Sequence, residues 1–249
     1  FSWEPQIFDC SSQCSNGVDL ADVAWTSSSI SVRADSTIHQ NNSYLSPVSD
    51  SACETSDSII TDLQCMVHRL NQAIDSNTMQ ISISNSSSIN RTFSVPPSFA
   101  NTSEVFMVTN ANEFVTSGIA SNLQEASGIY GFTYFYTIPS GCTCTPSYPV
   151  AMVDRAKIGI NDDQSYYRNT VDYTLLWHHS RASASYRYIF IHEMGHMLGF
   201  GHDDDYFDTM NSGRYGGAWT RGFTSYDSKF VVGPDMREAI DANYGLQSS

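Results

Sequence analysis

The chain has 249 residues, 41% of them hydrophobic and 15% charged, with a formal net charge of -14. That length fits one domain or a domain of two lobes, the low charged fraction excludes wholesale disorder, and the excess of acid (26 Asp+Glu against 12 Lys+Arg) disfavours nucleic-acid phosphates and anionic membrane surfaces as partners. No apolar run reaches the roughly 18 residues that a membrane helix needs.

Residues 1–29 are polar with little periodicity and read as an arm held by Cys10 and Cys14. Phe1 opens the chain without a charged-then-apolar leader, as expected of a processed mature chain. Ser29–Ala34 alternates and predicts a first strand. Residues 58–75 carry Ile59, Leu63, Met66, Val67, Leu70 and Ile74, spacings of three and four that predict an amphipathic helix. Strands are expected at 79–84 and 104–109, with a turn-rich loop between them. The aromatic alternation of 129–137 predicts another strand. Pro139, Cys142, Cys144, Pro146 and Pro149 then read as a loop, and 150–160 as a strand bent near Asp154–Lys157. Helices are expected at 182–199 and at 234–244, where Pro234 suits a helix start and Gly245 a stop.

The six cysteines fall as Cys10/Cys14, Cys53/Cys65 and Cys142/Cys144, without the paired CxxC elements of a thiolate zinc site. An even set in a Lys-poor, Ser-rich chain predicts disulfides and secretion. Six cysteines allow many connectivities; Cys53–Cys65 is the single bridge expected first, reaching from a loop into the second turn of the helix that follows it. Sequons at Asn41, Asn85, Asn90 and Asn101 fit secretion too, although Asn and Ser are frequent enough here to produce them by chance.

The chemistry is concentrated in residues 192–202, HEMGHMLGFGH. His192 and His196 are i and i+4 on one helix, so their rings project from the same face. Glu193 adjoins the first of them. Gly199 can take the left-handed conformation that ends a helix and turns the chain, which lets His202 return as a third ligand. Three imidazoles leave one tetrahedral position open to water, the layout of a catalytic zinc site rather than a structural one.

This stretch resembles the metzincin clan of zinc endopeptidases, matching its HExxHxxGxxH signature at every fixed position. Met210, eight residues after His202, is similar to the clan's methionine turn, and the short connector resembles the matrixin branch. The ending PDMREAIDANYG, through Asp235, Ile240, Tyr244 and Gly245, is similar to the matrixin final helix, and AKIGIN at 156–161 to the strand before the active-site helix in bacterial matrixin-like proteins. Asp203 stands where matrixins have Ser, as in adamalysins, and no Pro-x-Tyr follows the methionine turn.

The resemblance implies an α/β fold of two lobes around a twisted mixed sheet: after the arm of 1–29, an upper lobe over 30–202 and a lower lobe over 203–249. It implies a secreted zinc endopeptidase, monomeric, acting on protein or peptide substrates, in which Glu193 is the general base. The substrate is expected to lie extended and antiparallel to the strand at 129–137. A secreted binding or adhesion module that keeps the fold and metal without useful cleavage is the alternative; the intact Glu193 speaks against it. Tyr215 is a candidate oxyanion donor and Asp203 a candidate partner of a ligand histidine. Asp203, Asp204, Asp205 and Asp208, with Asp162 and Asp163, are oxygen-rich enough for calcium, although no spacing matches an EF-hand. His178 and His179 read as helix-entry histidines.

Overall fold

A computed structural model describes residues 7–9, 20–25, 27–38, 59–86, 89–108, 110–129, 131–145, 148–161, 183–202, 210, 232 and 234–244. In chain order these form β1 (Ile7–Asp9), β2 (Leu20–Trp25), β3 (Ser29–Asp35), α1 (Ile59–Ala73), β4 (Gln80–Ser86), β5 (Thr102–Val108), α2 (Asn112–Thr116), α3 (Leu123–Ser127), β6 (Gly131–Thr145), β7 (Tyr148–Asn161), α4 (Ser183–Met197) and α5 (Pro234–Tyr244). The α/β class is as expected. None of the described helices is long and apolar enough to cross a membrane.

The strands make one mixed sheet in the order β1-β2-β7-β5-β3-β4, with β6 also paired to β7. β7 is its axis. β2 pairs in parallel with Val150–Val153 and β5 with Arg155–Asn161, end to end along one edge, while antiparallel β6 takes the other. Among the described residues β6 has β7 as its single strand partner, so it is an edge strand.

The period-two alternation of the strands explains why both faces of this sheet are covered. Ile30, Val32 and Ala34 of β3, Val105 and Met107 of β5, and Ala156, Ile158 and Ile160 of β7 face a core shared with Leu63, Met66 and Leu70 of α1 and with α4. The intervening Phe106 and Val108 face a second cluster with Phe93, Phe114, Ala120 and Ala126. Each large side chain so buried contributes about 1.5–3 kcal/mol relative to leaving it exposed. Asn71 ties α1 to β4 by bonding both the N–H (2.9 Å) and the carbonyl (2.7 Å) of Ile81. On the second face the fully buried Lys157 donates to the carbonyls of Asn90 (2.5 Å) and Thr92 (2.8 Å), pinning that turn-rich segment to the sheet.

Two expectations change. Within the stretch read as an arm, β1 and β2 belong to the sheet, and Val23 and Trp25 are buried in the main core. That alternation spans too few residues to stand out among polar neighbours. The Pro- and Cys-containing stretch after residue 137 is not a loop either, because β6 runs to Thr145 and β7 resumes at Tyr148. The irregularity expected in β7 near Asp154–Lys157 is present: Tyr136 and Thr137 of β6 lie opposite Arg155 and Val153, so Asp154 is left over in the ladder, and a second shift follows in β6 between Thr137, opposite Val153, and Cys142, opposite Ala151. Pro139 falls in that break, where no ladder N–H is needed. The five-residue helices α2 and α3 are too short to leave a periodic signal.

Cys65 is disulfide-bonded, and no free cysteine occurs among the described residues. Its expected partner Cys53 lies outside them. Of the stretch 203–249, the structure describes Met210, Val232 and α5.

Candidate metal centre

α4 is buried on several sides: Ile189, Phe190, Ile191, Met194, Met197 and Leu198 all lie in the main core. A helix packed this completely is a rigid platform for polar groups near its end. His192 and His196 project from it one turn apart. The helix stops at Met197, and Gly199 takes φ +93°, the left-handed conformation expected of it. The glycine is required for a second reason: a Cβ there would sit 2.7 Å from the carbonyl oxygen of Val23 in β2. Tyr244 of α5 supports the same turn by donating from its hydroxyl to the carbonyl of Leu198 at 2.5 Å.

The turn brings His202 back to the other two histidines. His196 Nε2 lies 3.1 Å from both His192 Nε2 and His202 Nε2. A tetrahedral ion about 2.0–2.1 Å from each nitrogen would set them about 3.3 Å apart, close to what is seen. The tautomer also fits. His196 Nδ1 lies 2.7 Å from the Phe200 carbonyl, which can only accept, so Nδ1 carries the proton and Nε2 offers its lone pair to the centre. Burial, reinforced by the neighbouring His192 and His202, holds the pKa of His196 well below its usual value, and burial also lowers that of His202. Both are therefore kept neutral, as a metal ligand must be. These three are the group of His, Cys, Asp or Glu among the described residues that could hold a metal ion such as zinc.

Glu193 is buried beside the ligands, against β6. Its Oε2 accepts from Thr133 Oγ1 at 2.7 Å. Burial pushes its pKa up to about 8, against the lowering influence of the Thr133 hydroxyl. A divalent cation nearby would pull it back down. Met210 is buried as well, and its sulfur packs against α4 at Gly195, between the two helical histidines: a Cβ on Gly195 would lie 2.4 Å from Met210 Sδ.

The structure thus brings together His192, His196, His202, Glu193, Gly199 and Met210. Tyr215 and Asp203 lie outside the described residues, as do Asp204, Asp205, Asp208, Asp162, Asp163, His178 and His179. Sequence reasoning did not single out Thr133, Gly131 or Phe200. For the first two a signal existed: in β6 small residues at 131 and 133 alternate with the aromatics Phe132, Tyr134 and Tyr136, which marks a face held close to a neighbour. A scan against protein-family models finds no match to the chain, and a search among curated proteins finds none either.

Proposed function

We propose that the chain is a secreted, zinc-dependent endopeptidase of the metzincin kind, two-lobed, with His192, His196 and His202 holding zinc and Glu193 acting as general base. The observation that carries this reading is the convergence of three imidazoles, those of His196 and His202 kept neutral by burial, beside a buried carboxylate that shares a helix with His192 and His196. A zinc ion there would polarise the scissile carbonyl and bring the pKa of a bound water from 15.7 to about 7.

The chain's own residues account for the rest. Glu193 accepts the proton of the attacking water and later passes it to the leaving amine nitrogen, so that a carboxylate shielded from bulk solvent serves both transfers. The edge of β6 that pairs with no described strand would offer backbone N–H and carbonyl groups to an extended peptide, giving affinity with modest dependence on side chains. Met210 packs against the helix at Gly195, between His192 and His196 in sequence. The resemblance at the HExxHxxGxxH positions supports the same assignment.

The test is elemental analysis of protein purified without added metal, together with digestion of casein and of a proteome-derived peptide library with and without a chelator. Near-stoichiometric zinc and chelator-sensitive cleavage are expected. A zinc-loaded protein that cleaves nothing would favour a binding module, and full activity without metal would overturn the reading.

A further inference from the structure

Gly131 and Thr133 are two residues apart on β6 and so share one face of that strand, the face turned toward α4. Thr133 Oγ1 lies 2.7 Å from Glu193 Oε2 and 3.0 Å from the Glu193 backbone carbonyl. A threonine hydroxyl has one proton, and the shorter contact is to the carboxylate. Threonine is also β-branched and stiff about χ1, so the direction of that hydroxyl is set by the strand itself.

Gly131 meets the same side chain differently. A Cβ at 131 would lie 2.6 Å from Glu193 Oε1, 2.8 Å from its Cγ and 2.9 Å from its Cδ. The carboxylate therefore lies flat against bare backbone. No turn explains this glycine, since its φ is not in the left-handed region that Gly118 and Gly199 occupy. A glycine within a strand costs about 0.5–1 kcal/mol, and close approach of another group is what calls for it.

We propose that β6 is a positioning strand for Glu193: Thr133 anchors one carboxylate oxygen, and Gly131 leaves the space that the other occupies. The carboxylate is thereby held in one orientation beside the three histidines instead of sampling its rotamers. This rests on the reading of Glu193 as the base, and it makes Thr133 a positioning residue rather than a catalytic one.

The experiment compares Thr133→Val, which keeps the shape and removes the hydroxyl, with Thr133→Ser, which keeps the hydroxyl, and with Gly131→Ala. Zinc content, kcat and KM are measured on each. Thr133→Val is expected to retain zinc and KM while kcat falls roughly 10- to 100-fold, the scale of a misplaced reacting group. Thr133→Ser should recover most of kcat, and Gly131→Ala should lose kcat with zinc retained. A second readout needs no activity: in metal-free protein, Thr133→Val should shift the unfolding midpoint more when Glu193 is present than in a Glu193→Ala background, where only the backbone carbonyl of residue 193 remains as an acceptor. Wild-type kcat in zinc-loaded Thr133→Val, a Ser variant as poor as the Val variant, or equal midpoint shifts in both backgrounds would overturn the proposal. If zinc-loaded wild type cleaves no peptide, it is the endopeptidase reading that fails, and the midpoints still decide whether Thr133 holds Glu193.

Discussion

Trp25 donates from its indole Nε1 to the carbonyl of Met197 at 2.6 Å, joining residues 172 positions apart. Met197 is the last residue of α4, and its carbonyl is one of those a helix end leaves without an intrahelical donor. Trp25 meets that need from β2, next to the point where Val23 backs the Gly199 turn. Trp25→Phe keeps an aromatic side chain, though a smaller one, and removes the donor, leaving a buried carbonyl unsatisfied. Stability should fall by about 1–3 kcal/mol, and zinc should pass to a competing chelator faster than in wild type. Denaturant unfolding and a chelator-exchange time course read the two effects; wild-type behaviour in both would mean that the contact contributes nothing.

Gly199→Ala meets two obstacles at once, a φ of +93° and a carbonyl oxygen 2.7 Å from the new Cβ. An alanine cannot keep both that turn and its distance from Val23. The cost should be at least about 1–3 kcal/mol, and His202 should be drawn away from the other ligands. Zinc affinity is therefore expected to drop more than in a stability-matched core variant. Titration with zinc under a competing chelator checks this.

His196→Ala should lose metal and cleavage together. His196 is the central ligand, 3.1 Å from both partners, and it is buried. Two imidazoles remaining on an exposed turn and a half-exposed helix face cannot close a site. Zinc content and hydrolysis rate on the same preparation should fall in parallel.

Glu193→Ala should separate the two properties. The carboxylate is not one of the three converging ligands, so zinc and circular dichroism should resemble wild type. General-base catalysis contributes about 10²–10⁴-fold, and Glu193 serves two proton transfers, so cleavage should fall by at least the upper part of that range. A variant that kept zinc and cleaved within tenfold of wild type would point to another base.

The metal-free protein should show Glu193 in its pH dependence. Burial pushes this carboxyl up to about 8 in the folded chain, above its unfolded value of 4.5. Between those limits the folded state holds a proton that the unfolded state has released, so stability falls as pH rises. The lowered pKa values of His196 and His202 act oppositely, contributing stability above about 6.5 that is lost on acidification. From about pH 6.5 to 8 the Glu193 contribution stands alone among these three, with a slope of about 1.4 kcal/mol per pH unit. Urea titrations across that window should show the decline in apo wild type and a much flatter response in Glu193→Gln.

The candidate metal site was legible because its histidines are local. His192, His196 and His202 lie within eleven residues, and helix geometry plus one glycine turn suffices to predict that they meet. Helix α1 was legible for the same reason, through the spacing of Leu63, Met66, Leu70 and Ile74. What escaped is contributed from far along the chain. Thr133 reaches Glu193 across 60 positions and Trp25 reaches Met197 across 172, and no spacing rule links residues that only a sheet brings together. β2 was hidden because two buried residues between aspartates and alanines make too short an alternation. The long β6–β7 hairpin was hidden because prolines read as breakers when the register break that accommodates Pro139 is not visible.

The placement of β2 also orders events in time. Asp22 of β2 lies opposite Val150 of β7, so a chain emerging from the ribosome must extend by well over a hundred residues before its second strand finds its parallel neighbour. The histidines emerge later still, and after them the tyrosine that braces their turn, at 244. Pairings this distant in sequence are slow to form. The three-histidine site is therefore finished only after β2 and α5 have both docked, and a nascent chain could fold much of its sheet while that site is still incomplete.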